Sequence, residues 1–244
     1  MTSPSTLLLQ LCGPMQAWGS RSQFDDRDTN PEPTRSGVIG LLCAALGVPR
    51  TASLERFASL RMGVRVDAPG RVMVDYHTAQ RLKSPSPAAP CPGQGWWAPA
   101  GGSRRVSGPS VESTRHYLAD ACFLVGLECR ELPDLRELEA ALREPVWALY
   151  LGRKSFPLAE PVCLPGSSIR PGVPLEAALR LEPLLLPARD GVRLILEEDA
   201  GSHTLVRTDV PLSFASRRFI HRHVRTAWLA QTGIGEPNSE GAVP

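Results

Sequence analysis

Apolar positions along the chain fall into short blocks separated by Gly, Pro and charged residues, so the elements can be read one at a time. Residues 7–11, dominated by Leu, predict a buried first strand. Residues 13–35 are polar, charged and Pro-containing, a connection of the length usually reserved for function. Val38, Ile39, Leu41, Leu42, Ala45 and Leu46 then recur at helical spacing, with Ser36 as the expected N-cap and Gly47 and Pro49 as the stop. A second short helix is expected over 53–60. Alternation at Val64/Val66 and Val72/Val74 predicts strands over 62–66 and 72–76.

Residues 84–103 hold nine Pro or Gly in twenty, which predicts a flexible projecting insertion with no core of its own. Order is expected to resume at Tyr117, with a buried strand over 122–127 and a helix over 133–143 whose Leu135, Leu138 and Leu142 face inward. A further strand is expected over 146–151. With the insertion set aside, the order is strand, helix, strand, strand, helix, strand. That is the split βαβ plan, so the fold class is α+β: a ferredoxin-like (RRM-like) domain over 1–155 with a long thumb insertion at about 78–115. A smaller β-rich C-terminal lobe is expected over 156–230, with a helix near 175–181 and strands near 192–197 and 204–207. Residues 231–244 read as a frayed tail.

Composition narrows the function classes. The 244 residues are 42% hydrophobic and carry 27 basic against 25 acidic groups, which suits a globular chain with no strong overall field. No apolar run approaches the roughly 20 residues that span a bilayer, and the first six residues lack a secretory pattern, so the expected compartment is the cytoplasm. Six Cys without Cys-x-x-Cys spacing are expected to be thiols, mostly buried. Regional charge is more informative. Residues 76–118 and 200–225 each carry five basic groups against one acid, while 119–199 carry nine against fourteen.

Several constellations can carry chemistry. Gly152-Arg153-Lys154-Ser155 lacks the spacing of a nucleotide-binding P-loop, yet a Gly turn bearing two cations and a hydroxyl suits a phosphate backbone as well as it suits a plain solvated turn. His221 and His223 share a strand face but have no carboxylate or thiol nearby in sequence, so no metal is expected. Tyr76-His77 and His116-Tyr117 flank the insertion, either as residues at the base of a loop or as the acid and base of a metal-independent endoribonuclease. Trp96 and Trp97, between Arg81, Lys83, Arg104 and Arg105, suit stacking on RNA bases or contact with a protein partner. No serine-hydrolase elbow or dinucleotide turn occurs.

Five segments together are specific. Residues 13–19 (Gly-Pro-Met-Gln-Ala-Trp-Gly), 33–37 (Pro-Thr-Arg-Ser-Gly), 75–78 (Asp-Tyr-His-Thr), 115–121 (Arg-His-Tyr-Leu-Ala-Asp-Ala) and 150–155 (Tyr-Leu-Gly-Arg-Lys-Ser) resemble, in order, the CasD family of subunits in the type I-E CRISPR surveillance complex, Cascade. The likeness covers roughly residues 7–164 and is thinner beyond, mainly Phe214-Ala215-Ser216-Arg217. It implies a non-catalytic RNA-binding protein of the RAMP type that holds the 5′ handle of the crRNA and caps that end of the complex. It also implies a thumb over the RNA, contact with the backbone subunits and the large subunit, an indirect relation to target DNA, and no cofactor. Relatives in another subtype cleave RNA, and an assembly scaffold with incidental RNA contact is a third reading. Carried over by motif, Arg115, Tyr150, Gly152, Arg153 and Lys154 contact the handle. Arg35 and Ser36 offer a phosphate seat at a helix N-terminus, and Arg104 and Arg105 act from the thumb.

Overall fold

The computed structural model describes residues 3–20, 26–79, 111–187 and 191–229. Three strands make its centre: β1 (Ser5–Gln16), β5 (Val111–Cys129) and β3 (Arg61–Ala68), with β5 antiparallel to both neighbours. Their near-continuous apolar sequence follows from burial on both faces. Leu7, Leu9, Leu11, Val64, Phe123 and Val125 pack with the apolar residues of α1 (Arg35–Leu46) and α2 (Leu132–Arg143). Leu8 and Leu124 point the other way, against the short helix α3 (Leu175–Leu181).

Beyond β1 lies β6 (Ile169–Arg170), and beyond β3 lie β7 (Val192–Glu198), β9 (Arg218–Leu229) and β8 (Leu205–Ser213). The sheet order is β6-β1-β5-β3-β7-β9-β8. Strands from residues 156–230 therefore extend the central sheet through the β3–β7 pairing, and the expected boundary at 155 does not separate two sheets. The N-terminal half of β5 extends the same sheet as a ribbon with β4 (Arg71–Ala79), flanked on its other edge by the two-residue β2 (Asp26–Arg27).

Several sequence expectations are corrected by long-range bonds. The strand expected over 146–151 does not form, because the Val146 and Trp147 N–H groups donate to the Ala45 and Ala44 carbonyls at 2.9 and 3.1 Å. These carbonyls belong to the last turn of α1, where the Gly47 N–H gives Ala44 only a 3.3 Å bond, so the segment caps a helix instead of joining the sheet. The N-cap of α1 is Thr34, whose Oγ1 accepts from the Gly37 N–H at 3.2 Å; Ser36 lies inside the first turn. The expected helix over 53–60 shrinks to a 3-10 turn at Glu55–Phe57. Order resumes at Val111, six residues before Tyr117. Cys12 and Cys122 are not two separate thiols: the β1–β5 register sets them directly opposite, with Cα atoms 4.2 Å apart and the sulfurs bonded. Sequence spacing alone does not reveal a register.

Among the described residues no helix is long and apolar enough to cross a membrane, and no group of three or more His, Cys, Asp or Glu residues is placed to hold a metal ion.

Candidate nucleic-acid interface

The turn after α2 is held against the end of β1. Ala17 N–H donates to the Leu151 carbonyl at 3.1 Å, Leu151 N–H to Phe156 at 2.9 Å, and Phe156 N–H to Arg153 at 2.9 Å. Gly152 makes this closeness possible: its φ is +87°, and a Cβ there would sit 1.7 Å from the Ala17 carbonyl oxygen. The surface against which the turn rests is itself fixed. Trp18 is buried, its indole N–H donates to Gln16 Oε1 at 3.1 Å, and the Gln16 amide donates to the carbonyls of Leu11 and Ala121. The Gly-Pro-Met-Gln-Ala-Trp-Gly segment is thus a platform for the turn.

Tyr150 is half-buried in the turn, and Lys154 is exposed. Arg153 is half-buried and reaches across to the ribbon, where its Nη2 donates to the His116 carbonyl at 2.9 Å and the Arg27 carbonyl at 3.3 Å. Its guanidinium lies 5.4 Å from the centroid of the Phe156 ring, which in turn is 5.8 Å from that of Tyr117. Burial first, then the nearby charges of Arg115 and Arg27, lower the Arg153 pKa from its ordinary value, with Asp75 and Asp28 acting the other way. Arg115 sits on β5 opposite Asp75 and beside Arg27, and its Nε donates to Ser113 Oγ at 3.2 Å. The structure therefore gathers Arg115, Tyr150, Gly152, Arg153 and Lys154 around one turn and one ribbon.

Arg27 joins them without any sequence signal. It lies in a run of three aspartates and one arginine that reads as acidic, and only the parallel pairing of β2 with β5 reveals its place.

The seat expected at Arg35 and Ser36 is a correction. Arg35 is 4% exposed, its guanidinium donates to both oxygens of Glu197 at 2.7 and 2.6 Å, and its N–H donates to Asp209 Oδ2 at 2.8 Å. A carboxylate from β8 already occupies the anion position at this helix N-terminus, and the Ser36 hydroxyl faces Thr34 Oγ1 at 3.3 Å. Three of the five arginines in the second basic stretch are spent the same way: Arg222 pairs with Asp209, Arg207 with Glu32, and Arg225 with Glu198 and Glu176. Burial raises the Asp209 pKa, but hydrogen bonds and charge from Arg222 and the Arg35 N–H outweigh it, and the carboxyl is held below its ordinary value. Arg104, Arg105, Trp96 and Trp97 lie outside the described residues.

The two histidines of the ribonuclease reading are both in the ribbon. His77 pairs with Ser113, and His116 pairs with Val74. Directly opposed residues share a face and neighbours along a strand alternate, so His77 lies on the Asp75/Arg115 face and His116 on the other. His77 Nε2 contacts Asp75 Oδ2, while His116 Nδ1 lies 3.5 Å from Asp26 Oδ1.

The chain is 34% identical over 233 residues to the "CRISPR system Cascade subunit CasD" of Escherichia coli (strain K12), covering 89% of this chain and 93% of that protein. It superposes with a TM-score of 0.70 on a solved "Crystal structure of Cas protein", at 39% identity over 92% of this chain and 94% of the other. A chain of a solved "CRISPR RNA-guided surveillance complex" also gives 0.70, at 36% identity over 91% of this chain and 89% of that one. The family described as CRISPR-associated protein (Cas_Cas5) matches residues 6–225, and the chain belongs to it.

Proposed function

We propose that this chain is the subunit of a type I-E Cascade complex that binds the 5′ handle of the crRNA and caps that end of the assembly, without cleaving RNA. The observation that carries the reading is the turn at 150–156, pinned to β1 by Gly152 and set beside Arg115 of the ribbon. Arg115, Arg153 and Lys154 supply positive charge there, and Tyr150 supplies a ring for base stacking. The order β6-β1-β5-β3 supports the ferredoxin-like plan, since these are the fourth, first, third and second strands of such a unit when β2 and the ribbon strand β4 are set aside. The β4–β5 ribbon is then the root of the thumb, and Arg104 and Arg105 act from the residues it carries. A relative's place in an RNA-guided surveillance complex supports the crRNA, the backbone subunits and the large subunit as partners, with target DNA reached through them.

Titrating handle RNA with the purified protein between 50 and 200 mM salt tests the reading. Neutralising about four phosphates, at a slope of roughly −0.7 each for single strands, lowers the affinity about 50-fold over that range. A flat salt response overturns it. The endoribonuclease reading draws no support from His77 and His116, since groups on opposite faces of a ribbon do not flank one phosphodiester.

A further inference from the structure

Two arginines of the ribbon and one of the 150–156 turn come together in an arrangement that the handle-binding motifs do not specify. The parallel pairing of β2 and β5 sets Arg27 beside Arg115, on strands about 4.8 Å apart. Arg153 enters from the turn and ties both strands together through the Arg27 and His116 carbonyls, its guanidinium resting on the Phe156 ring. Among the described residues the hydrogen-bond partners of the Arg153 and Arg115 guanidiniums are uncharged: two carbonyls and one hydroxyl. Arg27 is exposed.

The acids around the group are Asp75 and Asp28, which act on Arg153, and Asp26, next to Arg27 on β2; Asp75 is engaged by His77 and Asp26 lies against His116. Three guanidiniums thus lie close together with no carboxylate hydrogen-bonded to Arg115 or Arg153 among the described residues, in a place where each cation raises the cost of the others. An anion of one negative charge relieves that cost, and a phosphodiester brings two acceptor oxygens that match the fork of an arginine. By contrast, Arg207, Arg222 and Arg225 of the β8–β9 hairpin are each ion-paired with a carboxylate.

We propose that Arg27, Arg115 and Arg153 form one phosphodiester seat, in which Arg27 and Arg115 touch the phosphate and Arg153 is the positioning residue that fixes the spacing of their strands. The seat rests on the RNA-handle reading and adds to it a contact, Arg27, that lies outside the recognised motifs. Arg153 suits positioning because its Nη2 donates to two carbonyls while its guanidinium face lies on an aromatic ring; an ammonium has no planar face to rest there.

The test uses the full chain and handle RNA carrying a neutral methylphosphonate at one linkage at a time. In the wild type, one linkage weakens binding most when neutralised. Arg27→Ala is expected to weaken the unmodified RNA about tenfold, reduce the salt slope by about 0.7, and make that linkage insensitive to neutralisation. Arg27→Lys, which keeps the charge at an exposed position, restores the slope. Arg153→Lys keeps the slope within 0.2 of wild type, yet weakens binding at least fivefold. Wild-type affinity and slope in Arg27→Ala, with Arg115→Ala still impaired, overturn the seat and leave handle binding standing. Unchanged binding in Arg27→Ala, Arg115→Ala and Lys154→Ala together overturns the handle reading itself. Wild-type affinity in Arg153→Lys removes the positioning role.

Discussion

Replacing Gly152 by Ala removes no charge and no hydrogen-bonding group, so any loss of RNA binding must come from the position of the turn. The residue has φ +87°, outside the region an L side chain occupies easily, and holding a non-glycine residue there costs about 1–3 kcal/mol. The added methyl would also lie 1.7 Å from the Ala17 carbonyl oxygen and 2.8 Å from its carbonyl carbon. Backbone cannot rotate away as a side-chain tip can, so the turn must lift off β1. Lifting breaks the Ala17 N–H to Leu151 bond and loosens Leu151 N–H to Phe156, worth about 1 kcal/mol each. The expected total is about 3–5 kcal/mol, read as a lower midpoint in urea unfolding. Because Arg153 reaches the ribbon only from the seated turn, handle RNA measured by fluorescence anisotropy at a temperature where the variant is folded should bind at least tenfold more weakly. A folded Gly152→Ala variant with wild-type affinity refutes the claim that the turn's placement carries the binding.

Further outcomes follow from three groups away from the turn. Asp209→Ala leaves Arg222 and the Arg35 N–H without their buried carboxylate and is expected to cost about 3–5 kcal/mol in urea unfolding, whereas a surface aspartate exchange costs almost nothing. The Asp209 pKa is depressed in the folded state, so its contribution is full above the ordinary aspartate pKa and lost as pH falls through the folded one; acid unfolding below about pH 4 should be less steep in the variant. Burial pushes the Cys43 thiol up to about 11, leaving about one in a thousand ionised at pH 8, so an alkylating reagent should modify it only as fast as the protein unfolds. Arg65 is fully buried, pairs with Asp67 and donates to the Leu179 and Pro183 carbonyls at the end of α3; Arg65→Met should destabilise the fold by about 3–5 kcal/mol without changing the salt slope for RNA.

Legibility in the sequence tracked how local each cause is. β1, β3 and the two longer helices were readable because their apolar spacing depends only on which faces are buried, and α2 announces itself with Leu135, Leu138 and Leu142. The Gly152 turn was readable because a glycine before two cations carries its conformational reason with it. What escaped depends on residues far apart in the chain. Residues 146–151 have strand-like composition, but the Val146 and Trp147 N–H groups serve helix carbonyls some hundred positions earlier. Arg35 looked like a phosphate contact because the carboxylate that answers it is 174 residues away. Cys12 and Cys122 meet through a strand register, as do Arg27 and Arg115, and no spacing rule reports a register.

The most direct test cross-links handle RNA, carrying a photoreactive uridine at each position in turn, to the full chain and maps the modified peptides by mass spectrometry. Adducts concentrated at residues 27, 115–117 and 150–156, and lost when salt is raised fourfold, are the predicted result. Adducts confined to the β8–β9 hairpin or to the outer faces of α1 and α2, with the turn at 150–156 unmodified, would contradict the account.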